Sequence, residues 1–337
     1  MKLSSLITEI QSGKDLDAEE MEPVISTMME GAVSTDDMAN FLLAIKEKGE
    51  AVSEVIGAAR AMRSKMVRIE SPHQVLVDTC GTGGDGSGTF NISTAAAIVA
   101  ASTGLPIAKH GNRAISSKSG SADALSVLGV NVGATQATVE ACLAKINLCF
   151  CFAPLFHESV KNVAEARKKL GVPTLFNLLG PLCNPAGAIH QIIGVGKPEQ
   201  RSIMAKALQG LGTKKSVVVH GLDGICEISN AGQTAVSIVT PGTIEDQIWS
   251  PSDFGCHPTT RKEIQVETPA ASAQLILNAL AGDVGGATDI VIQNAAAAIW
   301  LTSATKTMRE CADVCRAQLE DGAAKKTLDA LIRVSNE

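Results

Sequence analysis

Gln74-Val-Leu-Val-Asp78 leads without a break into Thr79-Cys-Gly-Thr-Gly-Gly-Asp-Gly-Ser-Gly-Thr-Phe-Asn91, and that run leads into Ile92-Ser-Thr-Ala-Ala-Ala-Ile-Val-Ala-Ala-Ser102. A short apolar run, a glycine-interrupted polar turn and an alanine-rich helical stretch in this order make a strand, a loop and a helix. The unit repeats at once: Pro106–Lys109 is strand-like, Lys109-His-Gly-Asn-Arg-Ala-Ile-Ser-Ser-Lys-Ser-Gly120 is the loop, and Ala122–Leu128 the helix. Working outward, Ile146–Phe152, Ile189–Val195 and Ser216–His220 read as further strands, with Glu158–Leu170 and Glu199–Leu211 as helices. With Val75–Thr79 as the first strand, this alternation predicts a mostly parallel central sheet flanked by helices. Gly224 to Pro241, with alternating Gln233-Thr-Ala-Val-Ser-Ile-Val239, predicts antiparallel strands at one edge, and the residues from Ala270 onward are helical.

The first seventy residues have a different rhythm. Leu3, Leu6, Ile7 and Ile10 end at Gly13. Asp17 and Glu20 form a capping-box pattern before Met21, Val24, Ile25 and Met28, and Ser34 precedes Met38, Phe41, Leu42 and Ile45, with Gly49 as the stop. A fourth helical segment runs from Ser53 to Arg63. The expected organisation is a helical domain over residues 1–70, completed by helices from about 165–185, and an α/β domain over 71–337. Four short helices bury little apolar surface alone, so a homodimer through the helical unit is expected.

Both glycine loops precede helices at the carboxyl ends of predicted strands, where α/β sheets bind ligands. Glycines let main-chain N–H groups approach an anion, helix N-termini add partial positive charge, and Lys109, Arg113 and Lys118 add formal charge. A substrate carrying two separated phosphate groups is the implied ligand. Gly81, Gly83 and Gly86 form a literal G-x-G-x-x-G, but no acidic residue follows roughly 20 residues later to hold a ribose. Gly81 and Gly86 also have the spacing of a nucleoside-triphosphate loop, yet Ser87-Gly88 stands where Lys-Ser or Lys-Thr is required. Asp85, inside the loop, suits a polyhydroxyl group or a magnesium-bound ligand.

The chain has 337 residues, 45% of them hydrophobic, ample for a core. Lys+Arg 29 against Asp+Glu 35 gives 29 − 35 = −6, which with few aromatics argues against a nucleic-acid surface. The polar N-terminus and the lack of a long uncharged apolar run predict a cytoplasmic protein with no membrane association. The nine scattered cysteines are expected to form no disulfide framework, with Cys149, Cys151, Cys311 and Cys315 as reduced, buried thiols.

Asp78-Thr-Cys-Gly-Thr-Gly-Gly-Asp-Gly86, Thr89-Phe-Asn-Ile-Ser-Thr-Ala95, Lys109-His-Gly-Asn-Arg113, Ser119-Gly-Ser-Ala-Asp123 and Phe176-Asn-Leu-Leu-Gly-Pro-Leu182 stand in order. As a set they resemble the motifs of the anthranilate phosphoribosyltransferase family, and the resemblance runs nearly end to end. It implies transfer of the phosphoribosyl group of 5-phosphoribosyl 1-pyrophosphate (PRPP) to the amine of anthranilate, in tryptophan biosynthesis. It also implies a nucleoside phosphorylase-like α/β fold with a small helical domain. Carried over by position, Gly81, Gly84, Asp85, Thr89, Asn91, Ile92, Ser93 and Thr94 contact the donor. Lys109, His110, Gly111, Asn112, Arg113, Ala114, Ile115, Ser116, Ser117 and Ser121 complete that pocket. Gly81, His110, Asn112 and Arg167 fall at the anthranilate positions, Arg167 as a fork for the carboxylate. No covalent nucleophile is implied; Lys109, Ser93 and Glu227 with magnesium would stabilise the transition state.

One position departs from the family. The resemblance implies two magnesium ions held by Ser93, an aspartate and Glu227, but in His220-Gly-Leu-Asp-Gly-Ile-Cys-Glu-Ile-Ser229 the aspartate position holds Cys226. Magnesium prefers hard oxygen donors, so weaker or single-metal dependence is expected. Asp223 is the available substitute, against its reading as the turn residue of Asp-Gly. The alternative functions are a pyrimidine nucleoside phosphorylase-like enzyme and a non-catalytic nucleic-acid-binding paralogue.

Overall fold

Residues 3–114 and 117–337 are described by a computed structural model. Four helices open the chain: α1 (Leu3–Gln11), α2 (Ala18–Met29), α3 (Thr35–Lys48) and α4 (Val52–Lys65). Their ends have local causes. The Asp17 carboxylate accepts from Glu20 N at 2.7 Å while Glu20 reaches back to Asp17 N at 3.1 Å, a complete capping box. Ser34 caps α3, and Gly49 ends it with φ +93°, a conformation that favours glycine.

The remaining elements follow in order: β1 (Val77–Gly81), α5 (Ile92–Ser102), β2 (Ile107–Gly111), α6 (Ser121–Val127), α7 (Gln136–Ile146), β3 (Leu148–Phe152), α8 (Ala153–Phe156), α9 (Lys161–Leu170), α10 (Phe176–Leu179), β4 (His190–Gly194), α11 (Gln200–Gly210), β5 (Lys215–Gly221), β6 (Thr234–Val239), β7 (Ile244–Trp249), α12 (Pro269–Leu280), α13 (Gly286–Thr302), α14 (Met308–Glu320) and α15 (Ala323–Ser335). The seven strands lie in the order β3-β2-β1-β4-β5-β6-β7. β3 through β5 are parallel, and β6 and β7 form the expected antiparallel edge. The chain therefore leaves β1 in one direction toward β3 and resumes on its other side with β4, a switch point where a crevice opens beyond the carboxyl ends of the strands.

Several strand limits differ by a residue or two from the apolar runs that announced them. β1 spans Val77–Gly81 rather than Val75–Thr79, because the ladder begins where Val77 meets Ile107 and His190 and continues until Gly81 meets Gly194. Ile146 belongs to α7, which Asn147 closes in the left-handed conformation (φ +57°), so β3 starts at Leu148. Glu158–Val160 is a 3₁₀ turn ahead of α9.

Each face of the sheet supports its own core. On one, Val77, Ile107 and Val217 pack with Ile98, Ile290 and Ala297 of α5 and α13. On the other, Ile193, Val195, Val218 and Val239 join Met204 and Leu208 of α11 and the helical unit's Phe41, Leu42 and Ile45. Helix α9 lies against α2 and α3, and α10 against α4. Burying a Leu, Ile or Phe side chain is worth about 1.5–3 kcal/mol, so the helical unit gains its stability largely from this shared core. All nine cysteines are unpaired, and all but Cys80 are buried. No helix among the described residues is long and apolar enough to cross a membrane.

Candidate active site

A cavity of about 310 Å³ opens at the switch point, walled by Thr79–Asn91, Lys109–Arg113 and Ser117–Ser121, with Ser93, Gly194, Cys226 and Glu227 beside them. Both glycine loops thus converge on one space. Gly83, Gly84, Gly86 and Gly88 all have φ between +64° and +80°, so the first loop turns tightly enough to present main chain to the cavity. The floor is equally restrictive: a Cβ on Gly81 would lie 2.9 Å from the Gly194 carbonyl, and one on Gly194 would collide with the carbonyl of Cys226.

Lys109 projects from β2 into this floor and is buried, its ammonium donating to Thr79 O at 2.5 Å and Ser93 Oγ at 3.2 Å. Burial lowers its pKa, while the negative charges of Asp78 and Glu227 act in the opposite sense. Burial, reinforced by the charge of Asp85, pushes the Glu227 carboxyl up to about 8, against the pull of Lys109. Glu227 Oε2 is shielded from solvent and has no partner among the described residues. A buried carboxylate oxygen beside a second carboxylate is an environment that a cation relieves. Asp85 is already engaged: its carboxylate accepts from Ser87 N at 3.1 Å and from Cys226 N at 3.0 Å, tying the glycine loop to the loop after β5.

On the neighbouring side His110 faces His157, ring centroids 5.1 Å apart. One ring nitrogen of His110 bonds Gly180 O at 3.0 Å. Its Nε2 and both ring nitrogens of His157 are buried without partners. Burial, with the neighbouring imidazole, lowers His110 to about 3, and burial lowers His157 to about 4, so both are neutral near pH 7. His157 was not among the residues expected from the sequence. Its position just beyond the carboxyl end of β3 was the signal available for it.

Several expected residues do not line the cavity. Ile92 points into the core, and Thr94 is buried with its hydroxyl unpartnered. Ala114 donates its N–H to Asp123 at 2.9 Å. Arg167, on α9, lies over the Phe176 ring at 5.7 Å with Nη2 3.5 Å from Asn177 Oδ1, because α9 packs on the helical unit rather than on the sheet. Burial lowers its pKa. The Asp223 carboxylate is shielded without a partner and is not among the residues that line the cavity. Ile115 and Ser116 lie outside the described residues. Arg113 and Lys118 are ion-paired with Asp123 (2.8 Å) and Glu267 (2.9 Å). Among the described residues no cluster of three or more His, Cys, Asp or Glu side chains could by itself hold a metal.

Comparison with known proteins follows the same division of the chain. Residues 4–66 match the family described as "Glycosyl transferase family, helical bundle domain", and residues 73–325 the one described as "Glycosyl transferase family, a/b domain". An anthranilate phosphoribosyltransferase of Rhodopirellula baltica is 45% identical, covering 98% of this chain and 97% of its own. One from Clostridium kluyveri is 43% identical, covering 99% and 100%. Among solved structures, the anthranilate phosphoribosyltransferase of Thermus thermophilus is similar with a TM-score of 0.92 at 36% identity, covering 98% of this chain and 99% of that one. The Saccharomyces cerevisiae enzyme in complex with PRPP and Mg has a TM-score of 0.89 at 27% identity, covering 99% and 98%. The same yeast enzyme in complex with 4-fluoroanthranilate is similar at 0.89 and 26%, covering 99% and 97%.

Proposed function

The chain belongs to the anthranilate phosphoribosyltransferase family, and from that premise we infer that it joins the amine of anthranilate to C1 of PRPP with release of pyrophosphate, a step of tryptophan biosynthesis. The observation that carries this is the convergence of two glycine loops, one helix N-terminus and one buried ammonium on a single cavity at the switch point. PRPP carries a 5′-phosphate at one end and a diphosphate at the other, which suits two cradles facing one space.

Displacement at the anomeric carbon passes through an oxocarbenium-like state, so the protein's task is to stabilise the departing diphosphate and to hold the amine on the opposite face. The first loop from Gly81 to Thr89, with Ser93 at the first turn of α5, and the second loop from Lys109 to Ser121 hold the donor. Lys109, pre-set by Thr79 and Ser93, supplies positive charge where the leaving group gathers negative charge. The neutral imidazole of His157 offers an N–H donor to the acceptor carboxylate, with Asn112 on the same side and Arg167 as the guanidinium fork on the helical side, while His110, whose Nδ1–H goes to Gly180 O, packs its ring against His157.

Glu227 and Ser93 fit one magnesium ion, since Glu227 has an unpartnered buried oxygen and magnesium is commonly held by one or two carboxylates plus substrate phosphates. When bound, that ion neutralises charge on the diphosphate. Cys226 does not fit a second: its thiol is buried, its pKa held well above the ordinary value by burial and the charges of Glu227 and Asp85, and sulfur is a soft donor. One protein-held ion per chain is therefore the reading for this sequence.

The helical domain comprises residues 1–70 with the helices near 165–185, and the α/β domain the remainder from 71. A groove of about 580 Å³ between α1 and α2, with Leu3, Leu6, Val24 and Val33 in its walls, supports a homodimer through the helical unit. The cytoplasm is the proposed compartment, consistent with nine unpaired cysteines. The test is the fluorescence of anthranilate: its loss only when PRPP and magnesium are both present is the expected result. Persistence of the signal with both present would contradict the assignment.

A further inference from the structure

The two phosphate loops are fastened by a segment distant from both in sequence, Ile264 to Ser272. Phe90 N donates to Ile264 O at 2.9 Å and Val266 N donates to Gly88 O at 2.7 Å, a short antiparallel bridge centred on Thr89 and Gln265. Gln265 Nε2 adds a bond to Ser87 O at 3.0 Å. On the second loop, Lys118 pairs with Glu267 at 2.9 Å.

The deepest attachment is Ser272, fully buried in the first turn of α12. Its hydroxyl accepts from Asn91 N at 3.0 Å and donates to Asn91 Oδ1 at 2.7 Å. The same Asn91 oxygen accepts from Ser119 Oγ at 2.7 Å, and Asn91 Nδ2 donates to Ser119 O at 3.2 Å. An amide oxygen has two lone pairs, and here both are occupied by hydroxyls from different segments. Asn91 is thus the joint between the first loop and the second, and Ser272 locks that joint from outside.

We propose that the strap Ile264–Ser272, acting through Ser272 on Asn91, is a positioning element that sets the separation of the two phosphate cradles and thereby the affinity for a doubly phosphorylated donor. This rests on the reading that both loops hold that donor. A ligand held at both ends reads the spacing of its sites, so a joint free to shift by a fraction of an ångström weakens binding without altering the groups that do the chemistry. Ser272 and Gln265 do not line the cavity.

The test is steady-state kinetics of Ser272→Ala and Gln265→Ala with PRPP and anthranilate varied separately. Ser272→Ala removes two hydrogen bonds without opening a cavity larger than an oxygen atom, and raises the donor KM about tenfold. Gln265→Ala, at an exposed residue, raises it about threefold and keeps the test decisive if the first variant fails to fold. In both, kcat and the anthranilate KM stay within about twofold of wild type, whereas a merely structural lesion lowers kcat through a smaller active fraction and leaves the donor KM alone. Wild-type donor KM in the variants overturns the strap's role. A wild-type enzyme with no saturable donor dependence overturns the reading of the loops themselves, and the strap with it.

Discussion

Replacing His157 by leucine is expected to make the protein more stable toward acid, relative to the wild type, between pH 8 and pH 5. An imidazole in the unfolded chain takes up a proton near pH 6.5, whereas His157 is held to about 4 and His110 to about 3 in the folded state. Because these folded-state values are depressed, their stabilising contribution is complete above pH 6.5 and is lost as pH falls toward the folded values. At about pH 5 each imidazole has shed about 2 kcal/mol relative to pH 8, a large share of the 5–15 kcal/mol by which domains are stable. Glu227 works in the other sense. Its carboxyl is raised to about 8, so its contribution is present below about pH 4.5 and lost as pH rises through 8, amounting to about 3 kcal/mol gained between pH 8 and pH 5. These contributions oppose one another in the wild type, and the comparison with His157→Leu isolates the imidazole. Urea unfolding from pH 8 to 5, with magnesium chelated, should show the variant gaining about 2 kcal/mol on the wild type across that window at constant m-value. Parallel curves for the two proteins would refute the reasoning, since a titrating, partnerless buried imidazole cannot be removed without changing the slope.

Three further outcomes follow from the geometry. Gly194→Ala places a methyl group on the Cys226 carbonyl, so folded yield or activity should collapse, and an active variant with an unchanged melting temperature would contradict the packing of the floor. Cys226→Asp supplies a hard oxygen donor beside Glu227 and should move the magnesium titration of activity to lower concentration; superimposable titrations would show that the thiol is not the weak point. Arg167→Gln should raise the anthranilate KM about tenfold or more with the PRPP KM unchanged, and equal changes in both would remove Arg167 from the acceptor side.

The strand-loop-helix grammar was legible because each glycine loop joins an apolar run to an alanine-rich helix, and the antiparallel edge because Gln233–Val239 alternates. Exact strand limits were not, since they depend on partners: Val77 starts β1 because Ile107 and His190 stand opposite it. Within the site, Lys109 lines the cavity as the charge of its loop suggested, and Ser93, Asn112 and Glu227 line it at the positions the family resemblance implied. What stayed hidden depends on contacts far apart in the chain. Asn91 lines the cavity, but that its oxygen also accepts from Ser272, 181 residues away, is not written in its own neighbourhood. Asp85 reads as a free carboxylate in a ligand loop, yet it is bonded to the Cys226 main chain 141 residues later. His157 and Arg167 are placed by β3 and by the packing of α9 on α2 and α3, neither of which is written in their own neighbourhoods.

The most direct measurement is the crystal structure of the enzyme soaked with PRPP and magnesium. The account requires one phosphate group within hydrogen-bonding reach of the Gly81–Thr89 loop and the other against the loop from Lys109 to Ser121, with the sugar between them. Density for PRPP at only one loop, or outside this cavity, would contradict it.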